Sequence, residues 1–228
     1  MKELEDIFCI EIDNPVFFRQ ALTHPSYTKE NNLSYLENYE RLEFLGDAVL
    51  KLASSDILFK KFPEYQEGDL SKIRSIVVSD NTLFKIASDI GLCDLIILAR
   101  HEAKQGLAHI ESVCACAFEA VLGAYYLDGK FDKLLPFLKN ILMPYIIDVD
   151  KNFEKFNAKA LLQEYTQSLT KETPEYRLIE ETGPDHNKTF TVGVSYSGKN
   201  IAQGQGKTKK EAEQNAAYQA CKILGVVE

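Results

Sequence analysis

The spacing of apolar residues changes once along the chain. Before about residue 150 they recur every three or four positions, as in amphipathic helices. Farther on they alternate with polar residues, which predicts strands over 175–182, 188–196 and 200–206. Helical spacing flanks these strands, over 158–169 and 208–224. The pattern predicts a mainly α-helical domain over residues 1–150 and a small α+β domain, in the order α-β-β-β-α, over residues 156–226.

Three stretches of the first part interrupt its helical pattern. Residues 101–112 are polar and predicted to be irregular. Pro136 and Pro144 predict a break in the last helical segment, because proline lacks the N–H that an α-helix needs. Residues 148–153 are polar and predicted to form a short linker between the two domains.

The segment from Asn38 to Leu52 carries the helical pattern on which the rest of the prediction depends. At about 100° per residue, four apolar side chains fall on one stripe, which predicts the face that packs against the core. These are Leu42, Leu45, Val49 and Leu52.

Three acids of this segment, Glu40, Glu43 and Asp47, are predicted to share the face opposite that stripe. Like charges on one face repel one another, so helix stability does not explain their placement. One interpretation is a solvated charged face, and the other is a site for a divalent cation, which would turn the repulsion into attraction. Phe44 lies beside the acids and off the apolar stripe, which favours a surface that binds a partner protein.

A second helix is predicted between Ser112 and Gly129. Its apolar face carries Phe118, Val121, Leu122 and Tyr125, and its other face carries Cys116, Glu119 and Gly123. Cys114 and Cys116 point roughly 200° apart on a helix, so the two thiols cannot bind one ion. Cys114 is therefore predicted to be a small core residue.

Composition restricts the class of protein. The chain has 228 residues, of which 45% are hydrophobic, so it can form a sizeable core. It has no apolar run long enough to cross a membrane, and its acidic beginning does not resemble a signal peptide. Five scattered cysteines do not form a disulfide framework and favour a reducing compartment, so a cytoplasmic protein is expected.

The net charge of −8 lies entirely in residues 1–155. From residue 156 onwards basic and acidic residues balance, and Lys207, Lys209 and Lys210 form a basic cluster where the last helix is predicted to begin. Backbone N–H groups and the helix dipole already attract anions at such a position. The cluster is therefore either a solvated lysine run or a phosphate-binding site. An acidic domain that meets RNA would need metal ions to screen its charge.

Several of these segments resemble the ribonuclease III family. The run from Glu40 to Ala48, E-R-L-E-F-L-G-D-A, closely resembles the family signature, and E-G-D-L-S-K-I-R at 67–74 resembles a second family segment. The helix from Ala115 to Asp128 resembles the family's second catalytic element, except that Cys116 stands where the family has a catalytic aspartate. Residues 162–164, 183–186 and 206–213 resemble the three RNA-contacting regions of the double-stranded-RNA-binding domain.

The resemblance implies a metal-dependent endoribonuclease that cleaves double-stranded RNA to 5′-phosphate and 3′-hydroxyl ends, in the processing of ribosomal and other RNAs. It implies a homodimer that contains Phe44 in its interface, and Mg²⁺ as cofactor, which Mn²⁺ can replace. Glu43, Asp47 and Glu119 are the implied metal ligands, with Asp47 and Glu119 most important for the rate. Glu40 and Glu67 are expected to orient the substrate, although Glu67 can also be read as an acid favoured at a helix start.

For the second domain, the resemblance implies that Gln163 and His186 contact the minor groove and that Lys207, Lys209 and Lys210 contact phosphates. The departure at Cys116 leaves two functions open. The first is an active double-strand-specific nuclease, and the second is a catalytically impaired protein that only binds double-stranded RNA. Retention of Glu43, Asp47 and Glu119 favours the first.

Overall fold

The computed structural model describes residues 1–184 and 188–227, and the chain divides into two compact units, Met1–Asp148 and Val149–Glu228. The first unit is helical, with one isolated bridge between Thr23 and Ile97. Its α-helices are α1 (Lys2–Phe8), α2 (Pro15–Leu22), α3 (Pro25–Glu30), α4 (Glu40–Lys61), α5 (Glu67–Val77), α6 (Asp80–Asp89), α7 (Arg100–Lys104), α8 (Glu111–Leu127) and α9 (Phe131–Lys151). Short 3₁₀ turns lie at Tyr35–Glu37, Leu92–Leu95 and Leu107–His109.

Helix α8 lies at the centre of the first unit. It packs against α2, α4 and α6, and eleven of its residues are buried. The predicted apolar face, Phe118, Val121, Leu122 and Tyr125, is fully buried. A helix that is apolar on nearly all sides belongs inside a core, and this one fixes the positions of the helices around it.

The core face of α4 differs from the predicted one. Leu42 and Val49 are buried as expected, but Leu52 is 57% exposed. The buried stripe instead runs through Gly46, Leu50 and the residues that follow at helical spacing, because the side of α4 that carries Gly46 packs against α8. Glu43 and Asp47 therefore border the core face and are half-buried, whereas they were predicted to lie opposite it.

The three predicted interruptions are largely helical. Helix α9 continues through Pro136 and Pro144 and extends to Lys151, into the predicted linker. The predicted irregular segment at 101–112 contains α7 and a 3₁₀ turn. Burial explains the continuity of α9, since Leu134, Leu138, Leu142 and Ile146 are fully buried and hold the helix in place.

One pair of cysteines was not anticipated. Cys93, in the 3₁₀ turn after α6, forms a disulfide with Cys114 in the first turns of α8, and their Cα atoms are 5.4 Å apart. Both residues are buried, so Cys114 is a core residue as predicted, and one pair of this kind does not amount to a disulfide framework. Sequence spacing could not reveal this pair, because the two residues meet only through the packing of α6 on α8.

The second unit has the predicted α-β-β-β-α order, preceded by the short helix α10 (Phe153–Phe156). Its elements are α11 (Ala158–Thr170), β1 (Glu175–Thr182), β2 (Thr189–Tyr196), β3 (Lys199–Gly206) and α12 (Lys209–Ile223). The strands form an antiparallel sheet in the order β1-β2-β3, with Tyr176 opposite Val194 and Phe190 opposite Gly206.

Small side chains form the core of the second unit. Ala212, Ala216 and Ala220 of α12 are fully buried, as predicted, whereas Ile223 is 66% exposed because the buried stripe passes through Cys221 instead. Gly204 and Gly206 of β3 have no room for a side chain, since a Cβ atom there would overlap the backbone of α12. The close approach fixes where α12 begins.

Candidate active site and RNA interface

Two glycines bring α4 and α8 into direct backbone contact. A Cβ atom on Gly46 would overlap the carbonyl oxygen of Glu119, and one on Gly123 would overlap the carbonyl oxygen of Leu42. The contact places the acidic side of α4 beside the side of α8 that carries Cys116 and Glu119. Sequence analysis placed Gly123 on this face but assigned no role to either glycine, because a contact between distant segments leaves no periodic signal.

Glu119 experiences the electrostatic effect of this contact most strongly. Burial, followed by the negative charges of Asp47, Glu43 and Asp80, raises its pKa to about 8 from the ordinary value of 4.5, and Lys51 partly offsets the shift. The carboxylates of the two helices therefore act on one another across the crossing point. Such a group favours either a proton or a metal cation beside it.

Cys116 lies within the same group of charges. Burial raises the pKa of its thiol to about 12, with further contributions from its hydrogen bond to Glu43 and from the charges of Glu43, Glu119 and Asp80. The thiol is therefore protonated at neutral pH and donates to the Glu43 carboxylate. A neutral thiol is a poor ligand for a hard cation such as Mg²⁺.

The donor set of this site suits magnesium. Glu43, Asp47 and Glu119 offer only carboxylate oxygens, which hard cations prefer. Across residues 1–184 and 188–227, no three acidic, histidine or cysteine side chains converge closely enough to hold an ion between them. Lys51 forms a 2.8 Å salt bridge with Asp47 and so competes for one of the oxygens. Mg²⁺ usually keeps several waters, so carboxylates that do not converge on one point can hold it directly or through those waters, and the side chains present fit it.

The two other predicted acids lie at the margins of the site. Glu40 begins α4, where its carboxylate accepts a hydrogen bond from Nδ2 of Asn38 at 3.2 Å. Glu67 begins α5, where it is exposed and accepts a 2.7 Å hydrogen bond from Ser71 of the same helix. Charge interactions therefore couple Glu43, Asp47 and Glu119. The hydrogen bond of Glu67, in contrast, is to a residue of its own helix.

Two residues of this region were missed by sequence analysis. Tyr39 precedes α4 and is buried, and its pKa is raised first by burial and then by Cys116, Glu43 and Glu40. Asp80 is the first residue of α6. An aspartate at a helix start is common, so sequence alone offered no reason to assign it to this site. The ring of His24 packs edge-on against Tyr39, and its Nδ1 caps α3 by accepting a hydrogen bond from the Ser26 N–H.

An apolar stripe lies on the outer side of α4, away from the core. Phe44, Leu52 and Phe59 are 81%, 57% and 73% exposed and follow one another at intervals of eight and seven residues. At this spacing they share one face of the helix. Three large exposed apolar side chains in line form a candidate surface for a partner protein.

In the second unit, the predicted RNA-binding residues lie on the surface. Gln163 is exposed on α11, and Lys207, Lys209 and Lys210 are exposed around the start of α12. The hydroxyl of Thr208 caps α12 by accepting from the Glu211 N–H, and Nζ of Lys209 lies 5.8 Å from the centre of the Phe190 ring. His186 lies outside the described residues.

Comparisons with known proteins agree with this arrangement. Residues 14–146 match the family model "Ribonuclease-III-like", and residues 158–224 match "Double-stranded RNA binding motif". A protein named Ribonuclease 3 from Pelotomaculum thermopropionicum is 45% identical over 201 residues, which are 88% of this chain and 83% of that protein. Another Ribonuclease 3, from Staphylococcus epidermidis strain ATCC 12228, is 41% identical over 94% of this chain and 87% of its own length.

A solved structure is similar to the first unit. It is the nuclease domain of ribonuclease III from Campylobacter jejuni, with 37% sequence identity and a TM-score of 0.54, covering 67% of this chain and 97% of that one. Its description mentions a flexible region involved in dimer formation. Family models cover both units and the relatives cover most of the chain, so this protein belongs to the ribonuclease III family, with a helical nuclease domain followed by a double-stranded-RNA-binding domain.

Proposed function

We propose that this double-strand-specific endoribonuclease cleaves its substrate by metal-assisted hydrolysis at Glu43, Asp47 and Glu119. The observation that carries the proposal is the crossing of α4 and α8 at Gly46 and Gly123, which sets three carboxylates of two helices against one another. Without a cation their charges repel, and with one they become ligands. The family to which the chain belongs supports Mg²⁺ as the cation, with Mn²⁺ as a substitute.

The division of roles is carried over from the resemblance to the ribonuclease III family, and the burial of Glu119 among the other acids supports it. Held by these carboxylates, a Mg²⁺ ion would lower the pKa of the attacking water and would offset the charge that develops on the leaving oxygen. Glu119 and Asp47, on opposite sides of the helix crossing, hold the metal and determine the rate. Glu43 holds the metal and accepts the Cys116 hydrogen bond. Glu40 and Glu67, at the helix starts, orient the RNA, and hydrolysis leaves a 5′-phosphate and a 3′-hydroxyl.

The alternative function, a protein that binds duplex RNA without cutting it, rests only on Cys116. The relatives are named as ribonucleases over most of this chain, and the three other carboxylates are present. These findings favour the enzyme, and no finding indicates impairment. Processing of ribosomal and other RNAs and a cytoplasmic location stay predictions. No helix in the described ranges is long and apolar enough to cross a membrane.

The second domain binds double-stranded RNA, and we assign that binding to two exposed regions of its surface. Lys207, Lys209 and Lys210 meet the phosphates at the start of α12, where the helix dipole adds to their charge. Gln163 on α11 reaches a minor groove, and His186, by resemblance, reaches the other. This division fits recognition of duplex RNA by shape, through minor grooves and the phosphates between them.

The apolar stripe of Phe44, Leu52 and Phe59 is proposed to form the surface that pairs two copies of the chain. Each side chain is more than half exposed, and water contact with three large apolar groups in line is unfavourable. Pairing would bring the acids beside the stripe close to those of the second copy. The two sites would then each cut one strand of a bound duplex.

Replacement of Glu119 by glutamine tests the metal-site assignment. We expect Glu119→Gln to lower cleavage of a simple RNA duplex in Mg²⁺ by at least about 100-fold, because a ligand is lost and several kcal/mol of charge stabilisation with it. Duplex binding should be unchanged, since the second domain is intact. Glu3→Gln, the same change at an exposed position at the start of α1, is the matched control. Cleavage by Glu119→Gln at the parent rate would show that the site lies elsewhere.

A further inference from the structure

Three acids, Asp47, Glu43 and Asp80, raise the pKa of Glu119, and of these only Asp80 has no role in the site described above. We propose that Asp80 contributes a carboxylate to the metal site and so replaces the one that Cys116 cannot provide. The inference rests on the proposed function, since it concerns the same metal. It extends that function by naming a residue from a third helix, α6, as part of the site.

The placement of Asp80 follows from the packing of α6. Leu83 and Ala87 are fully buried and belong to the face of α6 that packs on α8. Asp80 precedes Leu83 by three residues, so it continues this face by one turn. The adjacent Asn81 donates a hydrogen bond of 3.5 Å from Nδ2 to Glu111 at the start of α8. The first turn of α6 is therefore held beside the first turn of α8, which precedes Cys116 by about one and a half turns.

Charge interactions agree with this placement. The negative charge of Asp80 is among the smaller causes that raise the pKa of both Cys116 and Glu119, so its carboxylate lies within range of charge interaction with both side chains. Asp80 itself is exposed, and a hydrated cation can reach it. Three helices, α4, α6 and α8, thus carry acids whose charges act on one another around Glu119.

A capping role alone does not explain this arrangement. An aspartate in the first turn stabilises a helix through the dipole, and Ser79 leaves room for that role because its hydroxyl is bonded to Ile76 and Thr82 instead of the helix N–H groups. That benefit does not require Asp80 to lie near other acids, where like charges repel. A cation in the site would remove the repulsion. Asp80 would then supply the carboxylate oxygen that the neutral Cys116 thiol cannot offer.

Binding of Mn²⁺ to the full-length, metal-free protein in the absence of RNA tests the inference independently of activity. Electron paramagnetic resonance of free Mn²⁺ gives the affinity of each protein for the ion. The affinity that counts is that of the site which Glu119→Gln abolishes. We expect Asp80→Asn to weaken it about tenfold, the lower end of the range for groups that support metal ligands. Asp89→Asn, the same change at the other end of α6, should leave it unchanged.

A rescue variant separates replacement of the missing ligand from other effects. Cys116→Asp in the Asp80→Asn background should restore the parent affinity, because it returns a carboxylate to the site. The circular dichroism melting curve of each metal-free variant checks that Asp80→Asn still folds. If Asp80→Asn does not fold, Asp80→Ser is measured in its place, since serine is accepted at a helix start.

The outcomes distinguish failure of the inference from failure of the proposed function. If parent and Glu119→Gln bind Mn²⁺ equally, the metal site is wrong and both fail. If Glu119→Gln loses the metal and Asp80→Asn matches the parent, only the inference fails. If Asp80→Asn weakens binding and Cys116→Asp does not restore it, Asp80 does not stand in for the residue at 116.

Discussion

At the scale of single residues, Glu119 determines how the site responds to pH. Its pKa lies near 8 because it is buried among Asp47, Glu43 and Asp80, and so the folded protein holds a proton that the unfolded chain releases at a lower pH. An acid whose pKa is raised by folding lowers stability as pH rises above its pKa in the unfolded chain, because the unfolded chain then gives up the proton that the folded state retains. The metal-free protein therefore carries a penalty at neutral pH that a bound cation would remove.

This penalty gives a testable pH dependence. In the presence of a chelator, the free energy of unfolding of the parent should fall as pH rises from about 4.5 to about 8, because across that range the folded state binds more protons than the unfolded state. Glu119→Gln should remove this part of the decrease. The measurement is urea unfolding of both proteins at several pH values. Parallel pH curves for the two proteins would contradict the assignment.

At the scale of elements, the contact between α4 and α8 depends on two missing side chains. Gly46→Ala and Gly123→Ala should each lower the free energy of unfolding by about 1–3 kcal/mol or more, because the added methyl group pushes the helix backbones apart. Gly68→Ala in α5 is the matched control. No atom lies near its Cβ position, so alanine should be neutral or stabilise the helix by up to about 1 kcal/mol.

Urea unfolding of the three alanine variants gives the comparison directly. Equal stabilities at positions 46, 68 and 123 would mean that the two helices tolerate separation. The contact would then not be the feature that positions the acids.

The start of α12 gives a second prediction at this scale. Lys207→Ala combined with Lys210→Ala should weaken binding of an RNA duplex and reduce the salt dependence of log K by roughly one to two counterions. The control combines Lys85→Ala with Lys199→Ala, which removes the same charge from exposed positions elsewhere. The readout is the affinity of each protein at four or more salt concentrations. A salt slope equal to that of the control variant would exclude the cluster from the interface.

The sequence predicted the bounds of the strands better than it predicted which side of a helix is buried. The three strands agree within a residue at each end with 175–182, 188–196 and 200–206, because alternation and turn residues are local signals. The core face of α4 was misjudged at Leu52, since Gly46 contributes nothing to a hydrophobic count yet decides which side meets α8. The coupling of Glu119 to α4 followed from the resemblance, whereas the position of Asp80 depends on packing between distant helices.

At the scale of the whole molecule, the exposed stripe on α4 predicts an assembly of two copies. Phe44→Ala combined with Leu52→Ala should weaken the dimer at least about tenfold, because two large apolar side chains lose their contacts. Tyr35→Ala, which removes an aromatic side chain that is 75% exposed and outside α4, is the control. Sedimentation equilibrium compares the dissociation constants. Equally tight dimers for all three proteins would place the interface elsewhere.

The direct contact between the helix backbones at Gly46 and Gly123 also predicts which inactive variants of a random collection would be misfolded and which would be folded. Every substitution at these two positions adds atoms where backbone already lies, so inactive variants there would be misfolded ones. Substitutions at the neighbouring acids leave the helix contact intact and would give soluble proteins that still bind duplex RNA. A catalytically inactive form for trapping cellular transcripts should therefore carry a changed carboxylate. Only such folded, RNA-binding variants are expected to compete with the active protein for substrate in a cell that contains both.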